Sequence, residues 1–140
     1  MTRILTTILL VLIPLLSLKG QSDLQEKHES YLTGRWKIDT MYMDLDLSEE
    51  YMKVFEQKFK RLKDSTEFVF NADGSYKKLS LEPPRTGKWR ITPDGKTIII
   101  EFDDSDEISR TSINSLTETK LDMRPASDAT NNRVLLYKKE

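Results

Sequence analysis

Cysteine is absent from this chain of 140 residues, and histidine occurs only once, as His28. Without cysteine the protein has no disulfide bond, no catalytic thiol, no thiolate metal ligand and no thioether-linked haem. A single histidine also leaves no zinc site of usual composition and no Ser–His or Cys–His pair. We therefore predict a protein that is not an enzyme, with no catalytic residue, no metal and no cofactor. We interpret His28 as a solvated residue.

An excess of positive charge is lacking as well, since 22 basic residues stand against 23 acidic ones. Residues 1–20 contain two basic residues, Arg3 and Lys19, and no acidic one, so 20 basic and 23 acidic residues follow them, a net charge of −3. Neither this balance nor the distribution of aromatic residues fits a nucleic-acid-binding surface. We expect a monomer that does not bind nucleic acid.

Hydrophobic runs long enough to cross a bilayer are also missing. The longest run, Ile8–Leu16, is short and contains Pro14. It follows Arg3 and precedes small and polar residues, a pattern typical of a secretory signal peptide. We predict a signal peptide over residues 1–20, cleaved near Gly20, and an exported protein, periplasmic or secreted. An uncleaved N-terminal anchor is the alternative.

Residues 21–30 are polar and aperiodic, and they predict a linker. From Gly34 onward apolar and polar residues alternate, as in a strand with one dry face. The dry face of this strand carries Trp36, Ile38, Thr40 and Tyr42.

A helix is predicted after this first strand. Met52, Phe55 and Phe59 recur at three- and four-residue steps and form one stripe. Ser48 is a suitable N-cap, and the acidic first turn and basic later turns complement the helix dipole.

The rest of the chain reads as short strands joined by turns. Asp73-Gly74 indicates a hairpin, and Pro93-Asp94-Gly95 stand in turn-forming order. We count eight strands over residues 31–140, which suits one domain. A two-sheet sandwich is possible, but a closed barrel removes both open edges, so we favour the barrel.

The two tryptophans lie in nearly identical hexapeptides, TGRWKI at residues 33–38 and TGKWRI at residues 86–91. The similarity does not continue beyond them, which argues against an internal duplication. A glycine at a strand start permits a bend or a close backbone approach, and the following tryptophan is expected to point into the barrel. We interpret both tryptophans as structural residues rather than ligand contacts.

The Gly34-Arg35-Trp36 motif that opens the first strand resembles the signature of the lipocalin superfamily. Residues 31–140 as a whole resemble the lipocalin-like domains of small exported bacterial proteins, through FNADGSY, GKW before PDGKTIII, and INSLTETKLDM. The resemblance implies an all-β, eight-stranded antiparallel up-and-down lipocalin-like barrel, here with one α-helix between strands 1 and 2. It also implies that an arginine near the last strand packs over the signature tryptophan. The residues matching the structural signature are Gly34, Trp36, Gly87, Trp89 and Arg133.

Two acidic clusters are candidates for calcium sites. Asp44 and Asp46 alternate as at the start of a calcium loop, but Glu49 and Phe55 occupy the positions that require glycine and the closing acid. A second cluster is better interpreted as a solvated turn than as a weak calcium site; it consists of Asp103, Asp104, Asp106 and Glu107.

Apolar residues on the inward faces are the candidate ligand contacts, because small-molecule pockets have mostly apolar linings. Arg110, in phase with Ile108, is a candidate for pairing with an acidic head group. The other candidates are Tyr42, Phe68, Phe70, Tyr76, Ile98, Ile100 and Met123 in the barrel, with Met52, Phe55 and Phe59 of the helix as a lid.

These observations predict an exported protein that binds a small hydrophobic or amphipathic molecule inside a barrel. The alternative is that the same residues fill the interior, and that a solid barrel serves as a protein-interaction or structural module at the cell envelope. Basic residues on the helix permit weak contact with an anionic membrane, although Glu49, Glu50 and Glu56 dilute their charge.

Overall fold

A computed structural model describes residues 23–43, 46–125 and 132–140. These residues include eight strands and two helices. The predicted signal peptide and its cleavage site lie outside them. The helices are α1 (residues 23–32) and α2 (Glu49–Ser65). The strands are β1 (Gly34–Tyr42), β2 (Glu67–Phe70), β3 (Ser75–Leu79), β4 (Arg85–Ile91), β5 (Thr97–Phe102), β6 (Ile108–Leu116), β7 (Lys120–Pro125) and β8 (Arg133–Lys138). In the described part of the chain, neither helix has the length and apolar character needed to cross a bilayer.

The strands form a closed antiparallel barrel in sequence order. Closure depends on β1, which pairs with β2 along one edge and with β8 along the other, so that Trp36 lies opposite both Phe68 and Lys138. The predicted eight-stranded barrel with a helix between the first two strands is confirmed. The barrel has two ends, which we name the upper end and the lower end. The upper end is the one at which the odd-numbered strands terminate, namely β1, β3, β5 and β7.

The core follows from the alternation of side chains along the strands. In β4, for example, Trp89 and Ile91 are buried, whereas Lys88 and Arg90 between and beside them are exposed. The buried cluster consists of Leu32, Trp36, Ile38, Phe70, Tyr76, Trp89, Ile91, Ile98, Ile100, Leu116, Leu121 and Leu136.

The two predicted turns form as expected. Gly74 adopts a φ of +89° and Gly95 a φ of +75°, conformations that favour glycine. Next to each of them, an aspartate accepts hydrogen bonds from the turn. Asp73 accepts from the Ser75 backbone N–H at 2.9 Å, and Asp94 accepts from the Lys96 backbone N–H at 3.0 Å.

The helix α2 begins as the sequence predicts but packs lightly. The Ser48 hydroxyl accepts a hydrogen bond from the Tyr51 backbone N–H at 3.5 Å, and Glu49 and Glu50 occupy the first turn. None of the residues of α2 is fully buried. The helix therefore lies against the barrel through a half-buried stripe.

The segment predicted to be a polar linker is helical over residues 23–32 and lies across the lower end. The Gln25 side chain donates to the Ile91 carbonyl at 2.8 Å, and His28 Nδ1 donates to the Gly95 carbonyl at 2.6 Å. Leu32 is completely buried. The sequence carried little helical signal because polar residues predominate in this segment. The helix α1 attaches both through polar side chains that bind carbonyl groups and through the buried Leu32, with Tyr31 packed against the core cluster. His28 is consequently half-buried instead of solvated.

The two Trp hexapeptides provide similar indole contacts but use their glycines differently. Trp36 Nε1 donates to the Leu32 carbonyl at 2.7 Å, and Trp89 Nε1 donates to the Asn71 carbonyl at 2.9 Å. Gly34 has a φ of +139°, so it supplies backbone freedom. Gly87 supplies space, because a Cβ there would lie 2.3 Å from the backbone oxygen of Glu101.

Replacing Gly87 should therefore destabilise the barrel. In Gly87→Ala the new methyl group meets backbone atoms of β5, which cannot rotate away as a side chain can. We expect a loss of about 1–3 kcal/mol in the free energy of unfolding, measured by urea titration. The matched control, Lys88→Ala at the adjacent exposed position, should change it by no more than about 0.5 kcal/mol. Equal stability of the two variants would contradict the close approach.

Candidate ligand-binding cavity

A cavity of about 190 Å³ lies inside the barrel, between the side chains of β2–β7. The strand register explains its lining, because Ile98 lies opposite Thr111 and Ile100 opposite Ser109, with all four facing inward. Its apolar wall is formed by Phe68, Phe70, Ile98, Ile100, Phe102 and Met123.

Aromatic rings fix one side of this cavity. The Phe70 and Tyr76 ring centroids are 5.2 Å apart, and Tyr76 meets Phe102 at 6.2 Å in an edge-on arrangement. Phe70 also contacts Trp89 edge-on at 5.6 Å. Because such arrangements are favourable for aromatic pairs, this wall is expected to hold its shape.

Polar side chains occupy the rest of the lining, namely Tyr76, Lys78, Arg85, Ser109 and Thr111. The two cations lie towards the upper end, since Lys78 is near the end of β3 and Arg85 begins β4. They are neighbours in the sheet, because Lys78 lies opposite Arg85.

Arg85 is held in place by its surroundings. Its guanidinium carbon lies 3.6 Å from the Phe102 ring centroid, and its nitrogen atoms contact Glu107 at 2.7 Å and Asp104 at 3.3 Å. The hydrogen bond to Glu107, followed by the bond to Asp104, raises the pKa of Arg85. The acidic loop interpreted as a solvated turn therefore also holds this arginine.

Lys78 has no such carboxylate partner among the residues that the structure describes. Its ammonium nitrogen lies 5.9 Å from the Phe68 ring centroid, and no other described residue forms an ion pair or side-chain hydrogen bond with it. The hydroxyl of Tyr76 likewise has no hydrogen bond to a described residue, although only 4% of Tyr76 is exposed. Burial raises the pKa of Tyr76 well above its usual value, while the charge of Arg85 opposes the shift. The cavity thus contains hydrogen-bond donors without a partner among the described residues.

Most of the predicted barrel contacts lie where the sequence places them. Alternation along β2, β3 and β5 identified their inward faces correctly. The predicted residues that line the cavity are Phe68, Phe70, Tyr76, Ile98, Ile100 and Met123.

Tyr42 and Arg110 lie elsewhere. Tyr42 is 46% exposed, and the guanidinium carbon of Arg133 lies 4.6 Å from its ring centroid. Arg110 lies opposite Ile99 on the outer face of β6 and is exposed, whereas Ser109 beside it faces the cavity. Arg110 is therefore not placed to pair with a head group inside the barrel.

The three predicted lid residues do not line the cavity either. Met52, Phe55 and Phe59 are half-buried on one side of α2, and the Phe55 and Phe59 rings stack at 6.2 Å. Of the three, Phe59 packs against the buried core cluster. The stripe is present, but none of its three residues is among the described residues that line the cavity.

The cation over Trp36 is Lys138, and Arg133 is not in that position. The Lys138 nitrogen lies 5.1 Å from the Trp36 ring centroid and donates to the Tyr31 carbonyl at 2.6 Å. Burial lowers the pKa of Lys138, and Glu118 opposes the shift. Arg133 instead forms an ion pair with Asp122 at 3.6 Å, because it sits at the far end of β8.

Sequence reasoning missed five of the lining residues, although the signal was present. Lys78 is in phase with Tyr76 along β3, and Arg85 is in phase with Gly87 and Trp89 along β4. Both residues are charged, and charged residues are expected to face outward, so the prediction did not include Lys78 or Arg85. The missed residues are Lys78, Arg85, Phe102, Ser109 and Thr111.

A larger groove of about 610 Å³ lies on the outer surface, beside the Asp73-Gly74 turn. Its lining includes Lys88, Arg90 and Glu101, which are exposed charges of both signs. Covering them with an apolar molecule would desolvate these charges, so the smaller interior cavity is the better candidate. Within the described residues, no group of three His, Cys, Asp or Glu side chains is arranged to hold a metal ion.

Comparison with known proteins gives two matches. A family profile described as a lipocalin-like domain matches residues 32–123. The chain is also similar to the crystal structure, at 1.00 Å resolution, of a DUF4847 family protein from Bacteroides vulgatus ATCC 8482. The TM-score is 0.59 at 12% sequence identity, covering 81% of this chain and 99% of that chain, so this likeness concerns the fold. No curated protein matches at a significant level.

The buried side chain of Tyr76 predicts a loss of stability in alkali. A tyrosine in the unfolded chain ionises near pH 10, whereas the raised pKa keeps Tyr76 protonated in the folded barrel. The contribution of Tyr76 to the free energy of unfolding is therefore complete below about pH 10. Above that pH it decreases by up to about 1.4 kcal/mol per pH unit. The stability difference between the wild type and Tyr76→Phe, measured by urea unfolding from about pH 9 to pH 11, should decline accordingly. A difference that is independent of pH would contradict the raised pKa of Tyr76.

Proposed function

Because the chain belongs to the lipocalin-like domain family, we propose that it binds a small hydrophobic or amphipathic molecule inside its barrel. Barrels of about eight strands have an interior wide enough for one small ligand. The observation that carries the proposal is the interior cavity of about 190 Å³, with an apolar wall and a few polar groups. On this proposal the protein is a binding protein without catalytic activity, and it acts as a monomer.

The size of the cavity limits the ligand. Sites for drug-sized molecules have volumes of about 300–1,000 Å³, so a cavity of about 190 Å³ suits a short chain or a single small ring. Each buried methylene group is expected to contribute about 0.8 kcal/mol, or about fourfold in affinity, until the cavity is full. A homologous series of ligands should therefore show a maximum in affinity.

Calorimetric titration with hexanol, octanol and decanol tests this proposal. Affinity should rise along the series and then stop rising. Ser109→Leu, which places a larger apolar side chain in the cavity, should weaken the best ligand by about 5- to 150-fold, because overpacking costs about 1–3 kcal/mol. Ser112→Leu is the matched control, since Ser112 lies on the same strand in register with Thr97, outside the cavity lining. Absence of binding to any alcohol, or equal effects of both substitutions, would refute binding inside the barrel.

A second candidate function is an interaction with another protein at the cell envelope. One observation favours it: apolar side chains lie exposed at the upper end, where contiguous apolar surface often marks a binding site. They are Tyr42, Met43, Leu47, Tyr51, Val54, Leu81 and Ile108, with exposed fractions of 36–70%. If the alcohols fail to bind, this surface becomes the leading site.

We also infer that the protein is exported. Support comes from the sequence of residues 1–20, with a basic start, a short apolar run and a small residue at its end. Intact mass spectrometry of the protein recovered from its native cells should give the mass of a chain that begins at Gln21. A mass that includes residues 1–20 would contradict cleavage.

A further inference from the structure

The two ends of the cavity differ in chemistry. Lys78 lies two residues beyond Tyr76 on the same face of β3, about 6.6 Å further towards the upper end. Arg85 lies opposite Lys78 at that end. Towards the lower end the lining is apolar, with Phe70 at the end of β2 and Ile98 near the start of β5. A molecule bound along the barrel axis therefore meets cations at one end and hydrocarbon at the other.

The two cations are not equivalent. Arg85 is neutralised by Glu107 and Asp104, with contacts of 2.7 and 3.3 Å. Lys78 is half-buried, and within the described part of the chain it has no carboxylate partner. Among the described residues, none that lines the cavity is acidic. Within that part of the chain the charge of Lys78 has no compensating carboxylate, and an anionic ligand would supply one.

Neutral donors accompany this charge. The Tyr76 side chain is buried, and its hydroxyl makes no hydrogen bond to a described residue. A tyrosine hydroxyl is protonated at neutral pH, and burial raises the pKa of Tyr76 further. Ser109 and Thr111 add two hydroxyl groups to the lining. One cation with neutral hydroxyl donors matches an acceptor of single negative charge, whereas a dianion would retain unpaired charge.

On the basis of the proposed function, we propose that the bound molecule is a monocarboxylate with a short apolar chain. Its carboxylate pairs with the Lys78 ammonium and accepts a hydrogen bond from the Tyr76 hydroxyl. Its chain extends towards Phe70, Ile98 and Ile100. Lys78 thereby takes the head-group role that the sequence had suggested for Arg110, which faces away from the cavity.

Paired ligands with the same chain test this assignment. Octanoate carries the charge at neutral pH, and octanol has the same chain without it. Lys78→Met removes the ammonium but keeps an unbranched side chain, and it should weaken octanoate binding about 10-fold or more, because charge-assisted hydrogen bonds are the strong ones. Octanol affinity should change by less than about twofold, which also shows that the variant is folded. Lys77→Met is the matched control, since Lys77 is the adjacent, exposed lysine with the same charge.

Each outcome decides between the two proposals. Loss of octanoate binding in Lys78→Met alone, with octanol retained, supports the carboxylate assignment. Unchanged octanoate binding in Lys78→Met, or equal losses for octanoate and octanol, overturns it. Wild-type protein that binds octanol but not octanoate overturns the assignment and leaves the proposed function intact. Wild-type protein that binds neither ligand refutes both.

Discussion

The pairing of β1 with β8 is the constraint on which the rest of the structure depends. It joins the first and last strands, so it converts a ladder with two exposed edges into a barrel without any. It also encloses the interior, without which the cavity would be an open face. Lys138 links this pairing to α1, since its ammonium lies over Trp36 and binds the Tyr31 carbonyl.

The two ends of the barrel are built by different means. At the lower end, α1 lies across the barrel, and its side chains and the indole of Trp36 donate hydrogen bonds to backbone carbonyl groups. At the upper end, carboxylates of the β5–β6 connection hold Arg85 across the Phe102 ring. Apolar side chains at this end are exposed. Ligand entry is consequently expected from the upper end, where the charged head group would remain.

The fold was largely predictable because it depends on repeating patterns. The alternation of apolar and polar residues predicted the strands. The stripe of Met52, Phe55 and Phe59 predicted α2. The helix α1 was missed because polar residues predominate in it, and its apolar contacts, Leu32 and Tyr31, are confined to its last turn. Arg110 was misassigned because the phase of β6 was set from Ile108, which is itself half exposed. Lys78 was overlooked because a lysine inside a barrel contradicts the usual association of charge with solvent, although its phase with Tyr76 along β3 places it on the inner face.

The contacts of α1 also have a consequence for the order in which the protein assembles. Its hydrogen bonds reach residues 66 and 67 positions later in the chain, and the bond between Tyr31 and Lys138 spans 107 positions. During synthesis, α1 and the outer edge of β1 must therefore wait for the β4–β5 hairpin and finally for β8. Such long-range closure slows folding, since loop entropy is lost before the contacts form. Until the last strand arrives, the nascent chain remains an open sheet whose first segment is still undocked.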